Sequence, residues 1–289
     1  MASTIILKRR IKSIRGTRQI TKAMQLVSAS KLRRAQEYAV ASRDYRDLAY
    51  ELLRKLNGIE EVEHTPLFAK RPVKNRLYVV ITSNTGLAGA YNANVLKLLA
   101  VNLRQDTEQH VKSHVIVVGS KGAHFVRRLA DVDLLAAYPP FGDHPTANDV
   151  RPILNTVMTQ YEDKEVDNIR ILYTQFLSTV SQQVQDMHLL PAPVLDEDAK
   201  GPGFSNFEPD VETVVEQATT RLVEAQIWQA LLESLASEHA MRMIATKNAT
   251  DNANDLIGDY TLELNSARQA QITQDLAEIT GGAEALNAQ

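Results

Sequence analysis

Apolar residues recur at steps of three and four from the start of the chain: Leu7, Ile11, Ile14; Ile20, Met24, Val27; Leu32, Ala35, Tyr38; then Tyr45, Leu48, Leu52 and Leu56. No proline interrupts residues 3–56, and Gly16 is the only glycine before Gly58. The spacing predicts one long helix with a narrow apolar seam. At 1.5 Å per residue it would reach about 80 Å. A helix of that length must lie along another for much of its course.

The other end of the chain supplies a candidate. After Pro209, which stands where a helix would start, no further proline occurs. Apolar positions repeat as Val215, Leu222, Ala225; Leu232, Leu235; Met243, Ile244; Ala253, Leu256, Ile257, Tyr260, Leu264, Ala267; and Ile272, Leu276, Ile279. Gly281 and Gly282 supply a stop signal. The stretch 237–255, SEHAMRMIATKNATDNAND, is polar and small, with weak helix propensity. It needs neighbours on more than one side.

Between these ends the pattern changes. RLYVVITS (76–83), HVIVVGS (114–120) and NIRILYTQF (168–176) are β-branched apolar runs, each long enough for a buried strand. QVQDMHLLP (183–191) reads as a last, edge strand. Helical patterns near 92–105, 121–130 and 149–162 alternate with the runs, which implies right-handed crossovers and a mostly parallel sheet. Proline- and glycine-bearing stretches at 64–72, 139–145 and 191–203 read as loops. The expected organisation is a long helix over 1–57, an α/β domain over 58–208 inserted between the helices, and a second long helix over 209–289.

Charge divides along the same lines. The first 57 residues carry a balance of +10, the middle −4, and residues 209–289 carry −9. Up to Gln36 there are ten Lys and Arg and no Asp or Glu. The two ends are therefore candidates to pair with each other. The chain has no cysteine, which excludes disulfides, thiolate metal sites and thiol nucleophiles. No apolar run approaches the roughly 18 residues needed to span a bilayer. The basic start lacks a secretory apolar core, so it reads as mature sequence of a cytoplasmic protein.

Candidate chemistry is thin. SNTGLAGAYNAN (83–94) and GSKG (119–122) both follow strands, where a phosphate loop would sit. Neither has the spacing of a P-loop or a dinucleotide fingerprint, and tight strand-to-helix turns are the favoured reading. The seven histidines are scattered, without HxH or HExxH, so no metal site is expected. No GxSxG elbow supports a hydrolase triad. The basic N-terminal helix is open to three readings: a solvated face, a surface for a protein partner, or a nucleic-acid stripe acting through counterion release.

Longer motifs point further. TRQITKAMQLVSASKLRRAQ (17–36), GSKG (119–122), FEPD (207–210), ATDNA (249–253) and ARQAQITQDLAEITGGAEAL (267–286) occur in this order. Together they resemble the gamma subunit of F-type ATP synthases, nearly end to end. SNTGLAGAYN resembles that family's Ser-Asp-x-Gly-Leu-Cys-Gly segment, with Asn84 and Ala88 replacing the Asp and Cys. The cysteine-bearing insertion of chloroplast forms is missing, as in the bacterial type.

The resemblance implies a Rossmann-like, mostly parallel sheet domain and an antiparallel coiled coil of the two terminal helices. That coiled coil would be a non-catalytic rotor shaft inside a ring of three alpha and three beta subunits. Mg-ATP and ADP would be bound by those partners, so the chain itself needs no cofactor. An epsilon subunit and a ring of c subunits would meet the foot. Membrane association would run through the c-ring only, at the cytoplasmic face of a bacterial cell membrane. Nucleic acid would not be a partner.

By the same resemblance, Arg268 and Gln269 match a pair that contacts a beta-subunit catch loop. Lys22, Met24 and Arg242 match positions near the beta levers. Thr273 and Glu278 fall in the upper bearing, and Phe207 and Glu208 in the foot that meets epsilon and the c-ring. Leu264-Asn265-Ser266 replaces the family's usual Tyr-Asn-Lys, which removes one basic contact. The alternative from another class is a nucleotide-binding α/β enzyme with helical extensions.

Overall fold

The computed structural model describes residues 4–42, 48, 51, 67–68, 71–139, 142, 145–192 and 211–287. Its elements are α1 (Thr4–Ala41), β1 (Asn75–Ile81), α2 (Tyr91–Glu108), β2 (Lys112–Val118), α3 (Ser120–Val126), β3 (Asp133–Tyr138), α4 (Ala147–Glu162), β4 (Asn168–Phe176), β5 (Gln182–Leu190) and α5 (Val211–Asn287). Most of the expected helix between residues 43 and 57 lies outside the described residues. The chain packs as two compact units, Ser28–Arg242 and the pair of segments Met1–Val27 and Met243–Gln289.

In the unit Ser28–Arg242, five strands form one sheet in the order β3-β2-β1-β4-β5. β1 is parallel to both β2 and β4, β2 is parallel to β3, and β5 closes the edge antiparallel to β4. Side chains alternate between two covered faces. Leu77, Val79 and Ile81 face a core with Ile153, Val157, Leu222 and Ile227. Tyr78 and Val80 face a second core with Val95, Leu99 and Val126. Cover on both faces explains why these strands read as continuous apolar runs. The sequence reading misses β3, because Asp133–Tyr138 is short and its residues are only half-buried or exposed.

α5 in this unit departs from the expected narrow seam. Residues 222–227, Leu-Val-Glu-Ala-Gln-Ile, are all buried. A helix enclosed on every side has no polar face to set a period. Polar groups within it are held by bonds: Ser42 Oγ donates to Gln229 Oε1 (2.6 Å), and Gln229 Nε2 donates to Glu233 Oε1 (2.6 Å).

The second unit is an antiparallel helix pair. Leu7, Ile11 and Thr21 of α1 are buried, with Ile14 and Arg18 half-buried between them. Thr246, Thr250 and Ala253 of α5 are buried, followed by half-buried Ile257, Tyr260, Leu264 and Ala267. Both rows advance by alternating steps of three and four, the coiled-coil spacing. Three contacts fix the direction: Thr250 Oγ1 donates to Thr21 Oγ1 (2.8 Å), Arg18 Nη1 donates to Asn254 Oδ1 (3.2 Å), and the Arg10 guanidinium lies 5.7 Å from the Tyr260 ring centroid.

The path of the seam corrects the sequence reading. Ile20 and Val27, expected inside, are 63% and 55% exposed. The heptad steps from Leu7 pass through Ile14 to Thr21, so a small hydroxyl occupies a buried position beside the exposed Ile20. The two oppositely charged ends do pair, as their charges suggested, but not through charge-to-charge contacts. Among the described residues of this unit, the cations Arg18 and Arg10 of α1 meet a neutral amide and a ring face of α5, two threonine hydroxyls pair, and no ion pair joins the helices.

Candidate functional site

The chain runs outward from β1 to β3 and then returns to β4 on the other side of β1. In open α/β sheets, the crevice outside the strand carboxyl ends at such a reversal is the usual ligand site. Here α5 fills it. Ser234 Oγ lies 2.7 Å from Tyr91 Oη at the start of α2, and it accepts the Thr174 N–H at the end of β4 (3.4 Å). Ser237 Oγ donates to the Thr174 carbonyl (3.1 Å).

Arg242 completes the closure. Its side chain is only 8% exposed and pairs with Glu238 at 2.6 Å. The guanidinium donates through Nε to the Gly86 carbonyl (3.3 Å), and through Nη2 to the Thr85 carbonyl (3.3 Å) and Thr85 Oγ1 (3.0 Å). Burial pushes the Glu238 carboxyl above its ordinary range, and the Arg242 charge opposes that rise. The Tyr91 hydroxyl is likewise raised by burial.

The two glycine-bearing turns show what their glycines do. Gly119 has φ +95°, and a Cβ there would meet the Thr82 carbonyl oxygen at 2.1 Å. Gly122 packs against Val117 and Thr82. The amides that could cradle a phosphate at the start of α3 are committed within the chain. Ser120 N–H donates to Asn84 Oδ1, Lys121 N–H to the Ser83 carbonyl, and Gly122 N–H to Thr82 Oγ1. Asn84 therefore joins one turn to the other. Among the described residues, no group of His, Asp or Glu could hold a metal ion.

The surface of the helix pair has a different character. Lys8, Arg9, Arg10, Lys12, Arg15 and Lys22 are exposed on α1. An open groove of about 520 Å³ runs between the helices, with Lys22 and Leu26 on one bank and Asp251 and Asn254 on the other. Met24, beside it, is half-buried. From Arg268 to Ala283 every residue of α5 is exposed. Extending the Thr21–Thr250 register sets Thr4, the start of α1, beside Ala267, so the helix beyond has no partner among the described residues. At 1.5 Å per residue the overhang is about 30 Å.

The residues singled out by sequence separate accordingly. Arg268, Gln269, Thr273 and Glu278 all lie on the overhang. Thr273 Oγ1 donates to the Gln269 carbonyl (2.9 Å), and Glu278 accepts from Gln274 Nε2 (3.0 Å). Lys22 is exposed and donates to Gln25 (3.3 Å). Arg242 is buried in the crevice of the sheet unit rather than presented on a helix face. Phe207 and Glu208 lie outside the described residues. Ser234, Ser237 and Glu238 were not singled out, although the small polar run beginning at Ser237 carried the signal.

Known proteins share this chain's sequence pattern and its fold. A family model described as ATP synthase matches residues 3–286. The ATP synthase gamma chain of Xylella fastidiosa (strain M12) is 38% identical, covering 99% of this chain and 100% of that protein. The gamma chain of Desulfitobacterium hafniense is 39% identical with the same coverage. Among solved structures, a chain of the Euglena gracilis mitochondrial ATP synthase, OSCP/F1/c-ring in rotational state 3, matches with TM-score 0.70 and 20% identity, covering 99% of this chain and 95% of that one. A chain of the Tetrahymena thermophila mitochondrial ATP synthase central stalk/c-ring matches with TM-score 0.64 and 24% identity, covering 80% and 99%. With a family match from residue 3 to 286 and more than a third of positions identical in full-length relatives, the chain belongs to the ATP synthase gamma chain family.

Proposed function

We propose that this gamma chain is the non-catalytic rotor shaft of its synthase, coupling proton-driven rotation of a c-ring to conformational change in the catalytic alpha and beta subunits. The observation that carries the reading is the exposed basic face of α1, whose Lys8, Arg9, Lys12, Arg15 and Lys22 form no ion pair with a described acid of α5. Exposed charge of one sign along a stiff helix is suited to an oppositely charged surface that it passes repeatedly. The beta-subunit levers supply the acidic partner in this reading.

Lys22 and Met24 then lie at the lever contact. Arg268 and Gln269, on the unpartnered overhang, reach the catch loop; Arg offers a permanently charged fork and Gln a neutral donor and acceptor. Thr273 and Glu278 turn in the upper bearing, while Phe207 and Glu208 meet epsilon and the c-ring. Arg242, held inward, acts at the levers only through the loop it grips. The shaft angle is an effector: each orientation makes different contacts with each beta conformation, and that difference shifts nucleotide affinity.

The chain binds no nucleotide of its own in this reading, since the amides at the turn into α3 are already committed. Membrane association runs through the c-ring at the cytoplasmic face; no described helix is long and apolar enough to cross a membrane. The test is co-expression with alpha and beta subunits. A complex that contains one gamma chain and hydrolyses ATP, beside an isolated chain that neither turns over nor saturably binds ATP, supports the proposal. Turnover that survives removal of alpha and beta subunits sinks it.

A further inference from the structure

We propose that the filled crevice at the carboxyl ends of β1 and β4 is a mechanical clamp that fixes the azimuth of α5 on the sheet, with Arg242 as its positioning residue. The proposal rests on the rotor reading, because only a chain that transmits torque needs such a joint. A long helix lying on a sheet through apolar contacts alone is free to roll, since the hydrophobic effect is non-directional. Directional bonds to two strand ends prevent rolling. Ser234 and Ser237 hold the end of β4 at Thr174, and Ser234 also meets Tyr91. Arg242 holds the turn after β1 at Thr85 and Gly86.

Ser234, Glu238 and Arg242 stand four residues apart, so they share one face of α5. The bonded stretch extends about 12 Å along the helix axis. Two anchors at different heights on adjacent strands resist twist as well as sliding. Glu238 balances the Arg242 charge through Nη1 at 2.6 Å, which leaves Nε and Nη2 for the neutral acceptors of the turn.

The turn itself carries a second sign of tension against this grip. Leu87, directly after Gly86, has φ +59° and its side chain is largely exposed. A left-handed conformation is unfavourable for a residue with a Cβ and persists where the surroundings hold it. The fork of Arg242 on the two preceding carbonyls is what holds it. A Lys at this position would keep the pair with Glu238 yet present no fork.

The experiment compares the full chain carrying Arg242→Ala, Arg242→Lys or Thr85→Val with the unmodified chain, free and in the complex with alpha, beta, epsilon and the c-ring. Amide hydrogen exchange over residues 86–90 should quicken roughly ten- to hundredfold in Arg242→Ala and Arg242→Lys, in the free chain as well as in the complex. Thr85→Val, which deletes a single acceptor, should quicken it by roughly three- to tenfold and serves where Arg242→Ala loses its far-UV spectrum. In the complex, proton pumping per ATP hydrolysed should fall at least about twofold while hydrolysis continues. Exchange that changes only in the complex makes Arg242 a partner contact and overturns the clamp. Full rescue by Lys, or quickened exchange with an unchanged pumping ratio, overturns the positioning role. If the chain fails to assemble with alpha and beta, the rotor reading fails separately, and exchange in the free chain still decides whether Arg242 grips the turn.

Discussion

Thr250 donates its hydroxyl proton to Thr21 across the helix pair at 2.8 Å, and the Thr21 hydroxyl passes its own proton to the Arg18 carbonyl at 3.1 Å. Two buried hydroxyls thus occupy seam positions where Leu or Ile would ordinarily pack. Small side chains let the helix axes approach closely, and the chain of bonds leaves neither oxygen unsatisfied.

Replacing Thr250 by Val should destabilise the full chain by about 1 kcal/mol, because it removes a donor that Thr21 uses. Replacing Thr21 and Thr250 together should cost less than the two single changes added, since matched apolar partners leave no orphaned group. Denaturant unfolding of the four-protein cycle measures this. Strict additivity would show that the bond contributes nothing.

Gly119→Ala should destabilise the sheet unit by at least about 2 kcal/mol, combining an unfavourable φ with a Cβ at 2.1 Å from a carbonyl oxygen. Gly86→Ala is the control: a Cβ there meets nothing within 4 Å, so the change should stay within about 1 kcal/mol. Similar losses at both glycines would contradict the assigned packing.

Stability should decline in mild acid, in part through His188. Its imidazole is held below the ordinary value by burial and by the Arg170 guanidinium, with Arg76 adding and Asp186 opposing. Its neutral ring lies 2.7 Å from the Asn168 amide. A lowered folded pKa means that the unfolded chain binds more protons between that value and about 6.5. The contribution of His188 is therefore complete above about pH 6.5 and is lost as pH falls toward the folded value. Unfolding free energies at pH 7.5 and 5.5 should differ less in His188→Gln than in the unmodified chain. Subtracting the two proteins cancels Glu238, whose raised pKa works in the opposite direction.

Arg268→Ala with Gln269→Ala should reduce ATP-driven proton pumping in the complete enzyme while the far-UV spectrum stays unchanged. The pair lies on the overhang, outside both buried cores, so the fold loses little. A hydrogen bond to a charged group is worth roughly 1.5–3 kcal/mol, enough to shift a loop equilibrium by one to two decades. Pumping equal to wild type would reduce the pair to a solvated helix face.

The strands β1, β2 and β4, the edge strand β5 and both long helices were legible in the sequence. Each has a local cause: β-branched runs for strands covered on two faces, and three-four apolar spacing without proline for the helices. The separation of charge between the ends was equally plain, and the motifs at 17–36 and 267–286 were long enough to indicate the family. Which residues enter the helix seam was not legible. Ile20 outranks Thr21 in hydrophobicity, yet the phase of a helix face is set by where its partner lies, and that is a tertiary fact. The same holds for α5 between Leu222 and Ile227, where enclosure on every side erases the period that sequence reading depends on. It holds most for Arg242. Its residue type suits an outward contact with an acidic partner as well as an inward grip on two carbonyls. Only the fold, by bringing Glu238 and the turn at Thr85–Gly86 to the same guanidinium, reveals the inward grip.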